Sequence, residues 1–521
     1  MTGVFDLYGV LGQHGIDDLG PPRTDAHYSA VQVSPLLLRP RIICGRIIFC
    51  DGEHTGGLGC LSISRQSHTR ALKDAVGHAA GPTPRNIRYP ESRRQRATGQ
   101  DQLQTADEEI AMTSSTRSEV PEVDDLVEQI RRNAEKPMES AVPLPAQTYL
   151  DPEFYAHEKS QVLRRDWNVI ARVEQVPAAG DFITLDFLDE PIVVVRGDDD
   201  QVRVFSRVCR HRFADIVADR AGNVPSCGNL DHFECPYHMW SYRLDGELIN
   251  AVDMTRSPGF DPARFNLVEV PSQIWQGFVF INLDGADTVP LSMESLTKQM
   301  ETYDLSEWRL VGTHDFGVLP ANWKLHVENF LEFYHHMGAH KDTVETLFPG
   351  LNTVVGDGDD PFTSVGRCPA SAEGAIAEVD GYLVAPTVTQ LPVPPGLGPA
   401  DCAVNAVATR FPMFMLVYFP DITYWYQLTP LAADSHQLVI HALVHESNVE
   451  LVDDEIVKKA YEFMVPVLDE DIGILERIQT NLSSGSTFGG ALHEQEFPLL
   501  HMQRYLVHML TKETLHVHGN V

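Results

Sequence analysis

Basic charge is what this chain has least of. It carries 40 Lys and Arg against 73 Asp and Glu, a formal net charge of −33. Phosphate backbones are held by clustered Lys and Arg, so nucleic acid is excluded as a partner class. Long hydrophobic runs are missing too. The most apolar early stretch, residues 36–50, is broken by Arg39, Arg41 and Arg46, and is too short and too charged to span a bilayer. Asp6, Asp17, Asp18 and Asp25 argue against a transit peptide. No repeat with a period of 20–50 residues is present, which excludes solenoids and propellers. Cysteine is scarce, at eight in 521 residues, and with no secretory signal a disulfide framework is not expected. These absences predict a cytoplasmic protein without a membrane segment.

The acidity is uneven. Residues 1–111 hold 12 basic and 12 acidic side chains, which leaves 28 basic and 61 acidic for the remainder. The leader is rich in Gly and Pro, includes Cys44, Cys50 and Cys60, and has no sustained period of 3.6 or 2. Met112-Thr113-Ser114-Ser115 looks like an ordinary protein start. Residues 1–111 therefore read as a disordered extension or an over-extended start.

Periodicity changes after residue 120. Val123, Leu126, Val127 and Ile130 share one helical face within 121–135, and 151–166 reads as a second helix. Short β-rich runs follow at 167–173, 182–188, 192–196 and 202–208, with turn residues between them, and at 265–270 and 274–283. Strands in such quick succession predict a small antiparallel β-domain. Further on, 322–336 and 453–482 read as helices, 310–318, 416–428 and 437–446 as strands, and 386–400 as a Pro- and Gly-rich loop.

Two clamps fall in the loops of the β-domain: Cys209-Arg210-His211 and Cys235-Pro236-Tyr237-His238. Two thiolates and two imidazoles suit zinc or a Rieske [2Fe–2S] cluster. Structural zinc sites usually pair Cys with Cys and His with His. Here each short loop offers one of each, as a cluster with two Cys on one iron and two His on the other requires. Cys227, Cys368 and Cys402 read as ordinary thiols.

A second cluster lies in Glu328-Asn329-Phe330-Leu331-Glu332-Phe333-Tyr334-His335-His336-Met337-Gly338-Ala339-His340. Two imidazoles and one carboxylate form the facial triad of non-haem Fe(II) oxygenases. On an unbroken helix, at roughly 100° per residue, His336 and His340 share a face. A break near Met337-Gly338 would admit other pairings. Asn329 sits one turn from these histidines and is a candidate hydrogen-bonding residue in the pocket.

The first clamp, with the run Cys235-Pro236-Tyr237-His238-x-Trp240-x-Tyr242-x-Leu244-x-Gly246, resembles the Rieske domain of the large subunit of Rieske-type non-haem iron oxygenases, the ring-hydroxylating oxygenases. There are two departures. The 23 residues between His211 and Cys235 make a somewhat long loop, and Met239 stands where the family usually has Gly. If that position needs φ > 0, Met239 is strained. The family pattern E/D-x-x-H-x₄-H matches Glu332, His335 and His340, with His336 then a neighbour. The resemblance implies a third iron ligand on the distant helix with an E-D pair, where Asp471 is the first choice and Asp469 the second. It implies that Glu332 bridges one subunit's Rieske histidine to the next subunit's iron, in rings of three. Glu in place of the commoner Asp resembles the branch acting on quaternary ammonium compounds such as choline, glycine betaine, carnitine and stachydrine.

The resemblance, over about residues 145–510, implies an α+β fold. Residues 112–150 form a helical arm and 151–285 the Rieske domain, flanked by catalytic-domain helices. Residues 286–511 form the mononuclear-iron domain, an antiparallel sheet covered by helices (helix-grip, START-like), and 512–521 a tail. Cys209, His211, Cys235 and His238 are then the cluster ligands, His335, His340 and Asp471 the iron ligands, and Glu332 and Asn329 the supporting catalytic groups. The implied partners are O₂, a small organic substrate, and an NAD(P)H-dependent flavin/iron–sulfur reductase or ferredoxin. Two other classes fit parts of the pattern: a Rieske electron carrier without oxygenase activity, and a zinc-binding structural or hydrolytic protein.

Overall fold

The computed structural model describes residues 41–43, 46–48, 121–285, 289–356, 360–487 and 489–512. Apart from an antiparallel pair, Arg41–Ile43 with Arg46–Ile48, the expectation for 1–111 lies outside the described residues. So does that for the tail beyond Lys512.

Helix α1, Val123–Ala134, buries Leu126, Ile130 and Ala134, four residues apart, with Asp124 and Asp125 in its first turn and Arg131 and Arg132 in its last. Those charges complement the helix dipole. Its last turn is fastened to α5, Phe497–Thr511, by Arg504 Nε donating to the Ala134 carbonyl at 3.1 Å.

The β-domain has three antiparallel sheets. The largest runs in the order Val202–Ser206, Glu190–Arg196, Asp181–Phe187, Cys227–Asn229. A smaller one joins Leu248–Asn250, Ser241–Tyr242 and Phe233–Glu234. Alternation along one strand serves two cores. Val193 and Val195 pack with Cys209, Cys235, Trp240 and Tyr242, while Ile192 and Val194 join the main core. The third sheet holds Ser272–Trp275, Phe278–Ile281 and Asn168–Arg172. The run 274–283 is therefore part of a hairpin and not one strand. Gln276 and Gly277 both take positive φ at its turn, the mirror-image geometry that suits strand twist. A Cβ on Gly277 would come within 2.6 Å of the Arg172 guanidinium. Residues 265–270 also differ from expectation, contributing only an isolated bridge of Glu269 to Phe205.

The rest is built on a seven-stranded antiparallel sheet in the order Trp308–Leu319, Ser435–His445, Thr423–Ala432, Phe414–Tyr418, Val404–Arg410, Thr363–Pro369, Val354–Val355. With its helices it gives the α+β layout expected. The run 416–428 again folds as a hairpin, turning where Phe419 N donates to the Ile422 carbonyl. Leu416, Tyr418 and Trp425 face a core shared with Phe278 and Phe280. Met415, Val417, Tyr424 and Tyr426 face the helices. Helix α4, Asp454–Leu482, is capped by Asp453, which accepts from Ile456 N. It is pinned to the sheet by the Tyr424 hydroxyl donating to the Ala460 carbonyl at 2.7 Å. No described helix is long and apolar enough to cross a membrane.

Helix α2, Trp323–Leu331, carries the second cluster and is held at its start. Asn322 caps it by accepting from Lys324 N, and Asn322 N donates to Gln479 on α4. Lys324 and Glu158 form an ion pair at 2.9 Å with both side chains fully buried, and Trp323 Nε1 donates to the same carboxylate oxygen. Removing one partner of such a pair leaves an uncompensated buried charge. Lys324→Met is expected to lower the free energy of unfolding in urea by about 3–5 kcal/mol, and Lys324→Met with Glu158→Leu to recover most of it. A single variant as stable as the parent would show that the pair does not hold α2.

Candidate active site

The two clamps are copies of one backbone loop. In each, the Cys N–H donates to the carbonyl five residues on (Cys209 to Ala214, Cys235 to Trp240), and the N–H four residues on returns to the Cys carbonyl (from Phe213 and Met239). That fourth residue has positive φ in both, +63° at Phe213 and +58° at Met239. The sequence thus places Met where the loop requires a left-handed backbone, at a cost of about 1–2 kcal/mol. Phe213, Met239 and Tyr237 are all exposed.

The loops bring Cys209, His211, Cys235 and His238 together. Both cysteines are free thiols buried in the core of the β-domain, and the two imidazoles lie at its edge with ring centroids 4.5 Å apart. His211 stacks on Trp240 at 4.6 Å and 5°, and its Nδ1 is buried without a hydrogen-bond partner. An orphaned nitrogen beside two buried thiols is a donor set that a [2Fe–2S] cluster satisfies. Tyr242, which sequence reasoning did not single out, adds its hydroxyl 3.2 Å from Cys209 Sγ and accepts from Arg210 N. Cys368 and Cys402 are buried free thiols as expected. Cys227 is half-buried in the short strand Cys227–Asn229.

The second cluster is not on one regular helix. Helix α2 stops at Leu331, and Glu332 is extended (φ −133°, ψ 159°). The chain then re-enters a single helical turn, α3, His336–Ala339, with His335 at the position before it. The break falls upstream of Met337-Gly338, where the sequence suggested it. Gly350 packs beneath it so closely that a Cβ would meet the Phe333 carbonyl at 2.0 Å.

Glu332 Oε1 pairs with His335 Nδ1 at 2.6 Å, and its Oε2 accepts from His335 N. Glu470 pairs with His340 Nδ1 at 2.8 Å and also accepts from the Thr343 hydroxyl. With both Nδ1 positions occupied, both Nε2 atoms turn to one carboxylate. Asp471 Oδ1 lies 3.1 Å from His340 Nε2 and 3.7 Å from His335 Nε2. Asn329 Nδ2 donates to that same oxygen at 3.0 Å. Asp471 is buried on α4 while Asp469 is exposed, so only Asp471 reaches the imidazoles. His336 lies in the same cluster, but its Nδ1 bonds to the Phe348 carbonyl at 3.2 Å. Glu470 was visible in the sequence only as half of the E-D pair.

Burial alone would depress both imidazoles. Glu332 reverses this for His335, and Asp471 with Glu470 for His340, so both sit above the usual histidine range. Burial likewise opposes ionisation of Asp471, yet the His340 hydrogen bond and both imidazoles hold it below the usual carboxylate range. His336 lacks such a partner, and burial drives it down to about 3. Three acids around two imidazoles call for positive charge at the Nε2 atoms. Two imidazoles and one carboxylate with further positions free are the donor set of a non-haem iron(II) site, so these residues fit that metal.

Comparison with known proteins gives the same two parts in the same order. A family model described as the Rieske [2Fe-2S] domain matches residues 166–267, and one described as the ring hydroxylating alpha subunit (catalytic domain) matches 298–512. The carnitine monooxygenase oxygenase subunit of Escherichia coli (strain K12) is 35% identical over 205 residues, 38% of this chain and 52% of that protein. The glycine betaine monooxygenase oxygenase subunit of Chromohalobacter salexigens is 32% identical over 219 residues, 42% and 46% respectively. The chain thus spans about half the length of the curated relatives it matches. The crystal structure of the quaternary ammonium Rieske monooxygenase CntA in complex with L-carnitine superposes with a TM-score of 0.57 at 21% identity, covering 72% of this chain and 97% of that one; at that identity the likeness shows the fold. The chain thus carries, on one polypeptide, a Rieske [2Fe-2S] domain followed by a ring hydroxylating alpha subunit catalytic domain.

Proposed function

We propose that this protein is a terminal oxygenase. It uses O₂ and electrons from an NAD(P)H-dependent reductase or ferredoxin to hydroxylate a small organic substrate, and it works in the cytoplasm as a homotrimer. The observation that carries the reading is the pair of imidazoles turned by Glu332 and Glu470 onto Asp471, on the same chain as the Cys209/Cys235 clamps. Quaternary ammonium compounds are the preferred substrate class, supported by the similarity to carnitine and glycine betaine monooxygenase oxygenase subunits and by Glu at position 332. The boundaries 112–150, 151–285 and 286–511 serve as arm, Rieske domain and catalytic domain.

Cys209, Cys235, His211 and His238 would hold the cluster, and His335, His340 and Asp471 the iron. When bound, the cluster supplies electrons one at a time and the iron activates O₂. The chain's own groups do the positioning. Glu332 fixes the His335 tautomer, with the proton on Nδ1 and Nε2 free. Glu470 does so for His340, and Asn329 orients the Asp471 carboxylate. Glu332 lines both the chamber around the histidines and a wider cavity of 750 Å³. That position suits a carboxylate that also accepts an N–H from a neighbouring subunit's Rieske histidine.

The test is the purified protein itself. A reddish-brown colour, inorganic sulfide, an EPR signal on reduction, and iron beyond the cluster's own complement are expected, with oxygen uptake when a surrogate reductase and substrate are added. Colourless, zinc-loaded material would refute the reading, and iron confined to the cluster would reduce it to an electron carrier. Glu332→Gln should leave the cluster reducible while turnover falls by at least about tenfold; unchanged turnover would remove Glu332 from the electron path. Tyr242→Phe removes a hydroxyl donor to Cys209 Sγ and should lower the cluster's midpoint potential by tens of millivolts, read by redox titration of the visible spectrum. An unmoved potential would mean that the hydroxyl does not reach the sulfur.

A further inference from the structure

The wider cavity of 750 Å³ carries three carboxylates on its walls, Glu328, Glu332 and Glu496, and no Lys or Arg among its described lining residues. It reaches solvent past Ile474 and Ile478, both of which line it and are exposed. Inward it ends on Asn329, Glu332 and His335, which also line the small chamber around the histidines. A cavity this large with polar walls holds water.

Glu328 is the acid in this cavity that the site description leaves without a task. Its hydrogen-bond partner is Tyr149, whose buried hydroxyl donates to both carboxyl oxygens at 2.8 Å. Tyr149 is itself fixed, since its carbonyl accepts from Asn322 Nδ2 and Gln479 Nε2. Glu328 is half-buried because the cavity reaches it. Burial pushes its carboxyl up to about 7; the Tyr149 hydroxyl and Lys324 pull against this, and Glu158 and Glu496 push with it. The other walls bring no further charge to it: α1 offers Gln129 and Asn133, and α4 offers Ile474, Leu475 and Ile478. A carboxyl in such surroundings takes up and releases protons near neutrality, the condition that suits proton transfer.

The reaction needs such a group. Insertion of one oxygen atom, RH + O₂ + 2e⁻ + 2H⁺ → ROH + H₂O, and of two, RH + O₂ + 2e⁻ + 2H⁺ → RH(OH)₂, both consume two protons with each electron pair. The reductase supplies the electrons and solvent the protons. Glu332, Glu470 and Asp471 are engaged as acceptors around the imidazoles, so a store of protons has to lie one step further out. We infer that Glu328 is the proton-loading group of the oxygenase: its carboxyl takes a proton from cavity water, keeps it beside the Tyr149 hydroxyl, and releases it to water at the wall of Asn329, Glu332 and His335 as oxygen is reduced. This rests on the oxygenase reading above and deepens it.

Difference infrared spectroscopy of the holoenzyme across neutral pH tests the store directly. A protonated-carboxyl band should fade as pH rises through about 7, and Glu328→Gln, whose amide oxygen still accepts from Tyr149, should lack it. A band that survives Glu328→Gln, or no band that titrates there, would overturn the inference. Tyr149→Phe removes the bond that favours the carboxylate, so the midpoint should move to higher pH; an unmoved midpoint would overturn the pairing. Turnover tests the delivery. In the parent, kcat should fall as pH rises past the same midpoint. In Glu328→Gln it should be at least about tenfold lower at neutral pH and lose that fall, with the cluster potential unchanged. Glu328→Gln turning over like the parent sinks this inference and leaves the oxygenase standing, whereas a parent that consumes no O₂ with any substrate sinks the oxygenase reading and this one with it.

Discussion

Two carboxylate–imidazole hydrogen bonds govern the catalytic half of this molecule. An imidazole can turn either nitrogen to a metal, and which one it offers depends on what engages the other. Glu332 and Glu470 settle that for His335 and His340, each at Nδ1. The consequences run outward from there. Glu332 can reach His335 Nδ1 only because α2 ends at Leu331 and the chain extends for one residue. Glu470 arrives from α4, so the pose of that helix on the sheet sets the second histidine. Asp471 follows because it neighbours Glu470, and Asn329 closes the arrangement by donating back from α2 to α4. The helix break costs backbone hydrogen bonds, and the ion pair of Lys324 with Glu158 sits at the other end of the same helix, where it keeps α2 in place while its C-terminus unwinds.

The β-domain follows a different logic. Its sulfur ligands lie in a core of alternating strand residues, while its imidazoles lie at the edge, ringed by exposed Phe213, Tyr237 and Met239. Two of these three occupy left-handed backbone positions where Gly would relax the chain. Exposed apolar side chains at strained positions do nothing for the stability of the isolated subunit. They fit a surface that another polypeptide covers, in keeping with the proposed trimer, where the cluster of one copy would serve the iron of the next.

Much of this was legible in the sequence because metal chemistry constrains spacing tightly. Two Cys/His clamps in turn-rich β sequence were enough for the cluster. Glu332, His335 and His340 were legible through family resemblance and not through helical periodicity, which favoured His336 with His340. Periodicity misled because the helix ends at Leu331, a break with no Gly or Pro to announce it; the residue that packs against the Phe333 carbonyl there, Gly350, is 17 residues distant in sequence. The two hairpins mistaken for single strands failed for another reason. Each turn is marked by only two residues, Gln276-Gly277 and Pro420-Asp421, set within long aromatic and aliphatic runs that read as single strands. Glu470 and Tyr242 were missed because their roles depend on which side chain they face, which no local pattern records.

The aromatic residues of the hairpin, Phe419 and Tyr426 among them, show how one hairpin can serve two cores and line the chamber as well. Period-two alternation sends Tyr418 and Trp425 to the core shared with the β-domain and Tyr424 and Tyr426 to the helix side. Phe419 and Tyr426 then sit at the chamber while also packing in the main core. A chamber lined by core residues is rigid, because moving a ring would open a void in a close-packed interior. Its shape therefore comes from the same packing that holds α4 against the sheet, and so from the frame that aims the two imidazoles.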